Sequence, residues 1–295
     1  MKRPLILTEA YAQMNDSPSL RDLIHATETA KLSGFQVYSI PPDYTRCENA
    51  ENALAYVPEQ AEETPGLWLG FIPSAQRYTE IYEAALDKNI RLLNTPDEHL
   101  NGQVFDRAYP YIADLTPKSL VIQSVEECEM IAEELMFPVF VKGAIQSRKS
   151  KGWSFCVAES LQELRELATQ LFALENRSRG KVIVRELAQL RHTRRASDFP
   201  LGREYRVFVY QGHIVGWGYY WEGDDPLRDL SKEEEQHVLA LAQRAAEALP
   251  SSYISVDVGQ TEALDWIVIE TGDGQFSGYS EIPLLPFWNR LRELL

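Results

Sequence analysis

Ile254-Ser255-Val256-Asp257-Val258 is an apolar strand sequence with a carboxylate set among its valines. After a short turn, Trp266-Ile267-Val268-Ile269-Glu270 ends a second apolar run on another carboxylate. Working back along the chain, the same anomaly recurs in Glu204-Tyr205-Arg206-Val207-Phe208-Val209, in Val182-Ile183-Val184-Arg185-Glu186, and in Val139-Phe140-Val141-Lys142. An ionised side chain in such a setting costs several kcal/mol unless opposite charge, a metal or a charged ligand meets it. Successive strand residues face opposite ways, so Glu204, Arg206 and Phe208 share one face, as do Phe140 with Lys142 and Val268 with Glu270. Brought side by side, these strands make a cleft of two cations and several carboxylates. Carboxylates held together need a cation between them. Asp257 and Glu270 on adjacent antiparallel strands suit Mg²⁺, a hard ion commonly held by one or two carboxylates and substrate phosphates. Lys142 and Arg206 would then face phosphate oxygens.

The regions around these strands read as an α/β (α+β) protein. Leu5–Leu7, Phe35–Ile40, Leu67–Ile72 and Ile90–Leu93 are short strands separated by helical patterns at 19–33 and 75–88, which predicts a parallel sheet covered by helices. Ser17 or Ser19 caps the first helix and Gly34 stops it. Asn94-Thr95-Pro96 to Thr116-Pro117 reads as a connection. Strands follow at Leu120–Gln123, Pro138–Lys142, Trp153–Ala158 and Val182–Leu187, with helices at 125–135 and 160–174. Tyr205–Tyr210 and Ile214–Tyr220 flank Gln211-Gly212-His213 as a hairpin. Ser231 and Glu234 open a long helix with a capping box. Boundaries near 115 and 187 give an N-terminal α/β domain over 1–115, a small subdomain over 116–187 and a C-terminal subdomain with the metal site over 188–295.

The 295 residues give room for two to three such units. With 44% hydrophobic and 25% charged residues, the composition is that of a globular protein. No apolar run approaches the roughly 20 residues that cross a bilayer. Met1 to Thr8 leads directly into the first strand without a signal-peptide pattern, so a cytoplasmic location is expected. Cys47, Cys128 and Cys156 are too scattered for a zinc site or a disulfide framework. A net charge of -15 opposes general attraction to nucleic acid. The local exceptions, Arg148-Lys149-Ser150-Lys151 and Arg191-His192-Thr193-Arg194-Arg195, mark places for a bound phosphate. His25, His99, His192, His213 and His237 are scattered, with no partner at metal or triad spacing.

The ordered set of lysine, glutamate, arginine, aspartate and glutamate resembles the ATP-grasp superfamily, which includes D-alanine–D-alanine ligase, glutathione synthetase and the ribosomal-protein glutamate ligases. The resemblance covers about residues 90 to 280. It implies a fold in which a preceding parallel α/β domain joins two α+β subdomains that grip ATP. It also implies that Lys142 contacts the ATP phosphates, with Lys149 or Lys151 adding a second basic contact from the loop 147–152. Glu186 would serve the adenine amino group or support the hinge, and Leu187 and Ala188 would complete the edge contact. Glu204 and Arg206 lie on the strand whose arginine stabilises transferred phosphate, and Asp257 and Glu270 on the two metal-bearing strands. The family usually has asparagine two residues after the second metal glutamate. Gly272 stands there instead, and Asp273 is either its replacement as a metal ligand or an ordinary turn aspartate. The segment between Leu187 and Glu204 is a lid, an acceptor-recognition loop or a solvated loop. Trp217 to Trp221 either lines an acceptor pocket or packs on the sheet, and Gln275 to Tyr279 lies within reach of a carboxylate substrate. The implied activity is ATP- and Mg²⁺-dependent ligation of a small-molecule or peptide carboxylate to an amine. Alternatives are a small-molecule kinase on the same fold or a non-catalytic ATP-binding protein. Oligomeric state is left open.

Overall fold

The computed structural model describes residues 3–14 and 16–295; Met1 and Lys2, the start of the first apolar run, lie outside the described residues, as does Asn15. The chain begins with β1 (Leu5–Glu9), α1 (Pro18–Leu32), β2 (Gln36–Ile40), α2 (Ala50–Ala53), β3 (Thr64–Leu69), α3 (Ala75–Leu86) and β4 (Ile90–Leu92). The strands form the expected parallel sheet, in the order β2-β1-β3-β4. Ser17 supplies the α1 cap by accepting from Leu20 N. Gly34 follows the helix at φ +91°, a conformation that glycine adopts without a Cβ penalty.

The segment expected to be a connection folds instead into α4 (Pro96–Gln103) and α5 (Phe105–Ile112). Thr95 and Glu98 cap α4 reciprocally. A second sheet follows from β5 (Ser119–Ile122), α6 (Cys128–Glu134), β6 (Val139–Gly143), β7 (Val157–Ala158), α7 (Leu161–Phe172), α8 (Glu175–Ser178) and β8 (Val182–Glu186). It is antiparallel, in the order β5-β8-β6-β7. The strand expected over 153–158 is only two residues long, because Trp153–Phe155 forms a single 3-10 turn. Leu164, Leu167 and Leu171 of α7 form the buried stripe that covers this sheet.

The remainder comprises β9 (His192–Ala196), β10 (Phe199–Gly202), β11 (Glu204–Tyr210), β12 (His213–Tyr219), α9 (Lys232–Ala248), β13 (Tyr253–Gln260), β14 (Trp266–Asp273) and α10 (Leu284–Leu294). The large antiparallel sheet runs β12-β11-β13-β14, and β9 and β10 form a separate hairpin. Ser231 and Glu234 make the capping box of α9. One face of the large sheet packs through Phe208, Tyr253, Tyr279, Phe287 and Trp288, which share a core with α1 residues such as Leu23 and Ala26. Backbone-directed bonds tie the parallel sheet to this core. Asn94 donates to Tyr253 O at 2.7 Å and accepts from Tyr253 N at 2.9 Å. Trp68 N donates to Gln275 Oε1 at 3.0 Å. The three cysteines are free thiols. No helix among the described residues is long and apolar enough to cross a membrane.

Glu9 ends β1 almost fully buried, accepting from Phe71 N at 3.2 Å. Burial raises its carboxyl from the ordinary 4.5 to about 7, against the opposing pull of Phe71 N and Arg77. A carboxyl with a raised folded-state pKa favours the fold when protonated. Its contribution is therefore complete below pH 4.5 and is lost as pH rises through about 7. That span corresponds to on the order of 3 kcal/mol. Glu9→Gln keeps an acceptor for Phe71 N and removes the titration. The variant is expected to match the parent near pH 4.5 and to melt at a higher temperature at pH 8, as read by thermal unfolding across that range.

Candidate active site

β11, β13 and β14 present one row of charge. Arg206 stands opposite Asp257, and Asp257 opposite Glu270, in consecutive antiparallel registers. Arg206 Nε and Nη2 each donate to one Asp257 oxygen at 2.7 Å, a bidentate fork. Its Nη1 donates to Gly278 O at 2.9 Å, and its guanidinium lies 4.7 Å from the Tyr220 ring centroid. From the facing sheet, Lys142 Nζ donates to Glu270 Oε2 at 2.6 Å. Lys142 and Asp257 are buried and Arg206 is nearly so. The four residues singled out from separate strands therefore meet in one place, between two sheets.

A fifth member, Arg185, lies in the charged set of the sequence but was assigned no role there. It stands opposite Phe140 on β6 and donates to Ile269 O at 2.7 Å and to Thr116 Oγ1 at 2.9 Å, joining the two sheets. Burial pulls its pKa down to about 10. Burial likewise lowers Lys142, although Glu270 opposes this. The Glu270 carboxyl responds to the converse balance. Burial pushes it up, but Lys142 and Lys149 outweigh that and hold it at about 2. Burial pushes the Asp257 carboxyl upward against the pull of Arg206. A further cation beside Asp257 would relieve this.

Of the two loop lysines, Lys149 enters the cleft. It lies 3.7 Å from Glu204 Oε2 and over the rings of Tyr220 and Trp221 at 5.2 and 5.3 Å. Burial opposes its charge, and Glu204 more than offsets that and raises its pKa. Lys151 is exposed, lies 5.9 Å from the Phe155 ring and lines neither of the cavities that share this row, so of the two alternatives Lys149 is the one in the cleft. Among the described residues the buried Glu204 Oε2 has no hydrogen-bond partner, its ion pair with Lys149 being longer, at 3.7 Å.

The Asp273 carboxylate is engaged away from Asp257 and Glu270. Asp273 is fully buried; its carboxylate bonds to His99 Nδ1 at 2.8 Å and caps Gln275 N at 2.9 Å. Among the described residues, no group of three or more histidine, cysteine, aspartate or glutamate side chains converges with metal-binding geometry. Asp257 and Glu270 are the two facing carboxylates that could hold a magnesium ion, one that completes its shell with phosphate oxygens and water. At Gly272 a Cβ would lie 2.9 Å from Ser277 Oγ and 3.1 Å from Ser255 Oγ. Those hydroxyls, 2.7 Å apart, fill the space a larger residue would need.

Two cavities share this row. The first, of about 320 Å³, runs from Lys142, Lys149, Glu204 and Glu270 to Glu186, Leu187 and Ala188 at the end of β8. Phe140, Trp153, Phe199 and Ile269 give it apolar walls, and the β9–β10 hairpin contributes His192, Arg195 and Asp198. Of the hairpin residues, His192 and Arg195 belong to the basic stretch 191–195 marked in the sequence, whereas Trp153, Phe199 and Asp198 carried no sequence signal for this cavity. The second, of about 710 Å³, opens on the other side of Arg206, Asp257 and Glu270. It reaches Leu69 to Ile72 at the carboxyl end of β3 and is lined by Gln275, Phe276, Ser277, Gly278 and Tyr279. Of the aromatic stretch, Tyr219 is buried in the core with Trp217 and Trp221 packed against it, and Tyr220 and Trp221 line this second cavity.

Similar architecture recurs in solved structures. D-alanine–D-alanine ligase from Bacillus anthracis, complexed with ATP, aligns at TM-score 0.63 and 12% identity, covering 100% of this chain and 99% of that one. A RimK domain ATP-grasp protein from Sphaerobacter thermophilus aligns at 0.59 and 13% identity, covering 98% of each chain. The ATP-grasp ligase PsnB, complexed with a minimal precursor, aligns at 0.59 and 13% identity over 100% of both chains. At these identities the likeness is one of fold. No curated protein matches the sequence. A family model does match, over residues 132–291, which carry every member of the charged row. The chain belongs to the ATP-grasp domain family, R2K clade family 3.

Proposed function

We propose that this protein is an Mg²⁺- and ATP-dependent ligase that activates a carboxylate as an acyl phosphate and couples it to an amine. The observation that carries this reading is the meeting of Lys142, Arg206, Asp257 and Glu270 where the two cavities join. The first cavity takes the nucleotide, with its base against Phe140 and Ile269 and its edge at Leu187 and Ala188. The second takes the carboxylate and the amine. Residues 1–115, 116–187 and 188–295 act as the pre-ATP-grasp domain and the two gripping subdomains.

Asp257 and Glu270 would hold Mg²⁺, which when bound neutralises charge on the phosphate oxygens. Lys142 and Lys149 orient the phosphates from the facing sheet and loop. Arg206, fixed by Asp257 and Gly278 O, presents the remaining face of its guanidinium to the transferred phosphoryl group. The substrate carboxylate oxygen attacks the γ-phosphorus and the bond to ADP breaks. The amine then attacks the acyl carbon, phosphate leaves, and the amine proton passes to solvent or phosphate. No side-chain nucleophile is needed.

The test is an ADP-release screen at saturating Mg-ATP over amino-acid and dipeptide pairs, followed by mass analysis. The expected result is ADP release that requires both partners, with a product lighter than their sum by one water. A stable phosphorylated product would identify a kinase. Mg-ATP binding without turnover on any pair counts against catalysis.

A further inference from the structure

Lys149 is the cation of the cleft whose position the charged row does not explain. It stands on a single 3-10 turn, Lys149–Lys151, in the loop that follows β6. Lys142 is held by Glu270 at 2.6 Å, and Arg206 by Asp257 and Gly278 O. Lys149 has only Glu204, at 3.7 Å, beyond hydrogen-bond length. What meets it instead is an aromatic corner. Its Nζ lies 5.2 Å from the Tyr220 ring centroid and 5.3 Å from that of Trp221. The two rings meet edge to face, with centroids 4.7 Å apart and planes at 70°.

The corner is fixed from the large sheet and its neighbouring hairpin. Tyr220 N donates to Glu204 O at 2.9 Å, and Trp221 Nε1 donates to Gly202 O at 2.9 Å. The Arg206 guanidinium lies 4.7 Å from the Tyr220 centroid, and three hydrogen bonds of its own hold it there. An immobile arginine thus steadies the ring, and the negative charge of the ring face attracts the ammonium of a lysine that arrives on a loop from the other sheet. Lys149 and Arg206 repel each other, whereas the ring draws both. It does so without demanding the ammonium's three donors, which stay available to phosphate oxygens. We infer that Tyr220 is a positioning residue whose ring, with that of Trp221, holds the loop lysine Lys149 beside Arg206, so that loop cation and strand cation converge on one triphosphate. The inference rests on the reading of this cleft as the ATP site.

The experiment is calorimetric titration of the full chain with Mg-ATP, for the parent, Tyr220→Leu, Tyr220→Phe, Lys149→Met and Tyr220→Leu/Lys149→Met. A cation–π contact corresponds to roughly a two- to thirtyfold affinity difference. Tyr220→Leu, which keeps apolar bulk and removes the ring, is expected to weaken Mg-ATP binding by about that factor. Tyr220→Phe should recover most of what leucine loses, because the ring makes the contacts. The double variant should bind no more weakly than Lys149→Met alone, since the ring acts through the lysine; a purely structural loss would add. Thermal unfolding establishes that the variants fold. Pentafluorophenylalanine at position 220 keeps the shape of the ring and reverses its quadrupole, so it should weaken Mg-ATP binding even where leucine disturbs the fold. Unchanged affinity in Tyr220→Leu, losses that add in the double variant, or a fluorinated ring that serves as well as phenylalanine overturns the inference while leaving the ATP site intact. A parent that binds no Mg-ATP overturns the reading of the cleft itself.

Discussion

Glu270→Gln is expected to remove Mg²⁺-dependent ADP release by about a hundredfold or more, the scale on which one preorganised charged group contributes to such a step. The substitution keeps the shape of the side chain and removes one of the two carboxylates that face each other across β13 and β14. It also leaves the buried Lys142 without its counter-ion. The two consequences are separable. Without magnesium, nucleotide affinity should hold or rise, because one negative charge has left the neighbourhood of the triphosphate. The gain in affinity that magnesium confers on the parent should disappear. Titrating ATP with and without Mg²⁺ reads both quantities. Full Mg²⁺-dependent turnover in the variant would show that the metal sits elsewhere.

Lys142, Arg206, Asp257 and Glu270 were legible in the sequence because an ionised residue inside an apolar run has few explanations, and strand alternation indicates which of them share a face. The short turn between β13 and β14 sets Asp257 opposite Glu270, whereas the pairing of β11 with β13 spans β12 and α9, and Lys142 arrives from the other sheet. Helix starts at Ser17 and Ser231 were legible for a similar reason, since a cap acts over three residues. The β9–β10 hairpin was not. His192–Ala196 is polar up to its final alanine and mostly exposed, so it has no apolar alternation to betray a strand. The His99–Asp273 bond spans 174 residues, and nothing local to either residue announces it. Asp273 read locally as either a metal ligand or a turn aspartate, and its Oδ1 caps Gln275 N. What the local pattern lacked was the packing of α4 against β14, which brings the imidazole to that carboxylate. Gly272 is explained in the same way: the Ser255 and Ser277 hydroxyls that crowd it come from a neighbouring strand and a later turn.

Arg206→Met carries the second large expectation, and it concerns stability as well as turnover. Methionine preserves most of the packing length and removes the guanidinium. Asp257, buried at 2% exposure, then loses both bonds of its bidentate partner. Removing one member of a buried pair costs about 3–5 kcal/mol, because the remaining charge has neither water nor a counter-charge. In a chain of this size that corresponds to a fall in melting temperature on the order of 10 °C. Arg206→Met/Asp257→Asn removes both charges and should recover most of the loss, whereas Asp257→Asn alone leaves the guanidinium its Gly278 and Tyr220 contacts and should cost less than Arg206→Met. Turnover should not follow stability. The double variant lacks the phosphoryl-facing cation and a metal carboxylate, so it should fold near the parent's temperature and release no ADP. Melting curves and ADP release on the four proteins close the cycle. If the double variant is as unstable as Arg206→Met, the pair is not what stabilises this row; if it turns over ATP, the row is not where the chemistry occurs.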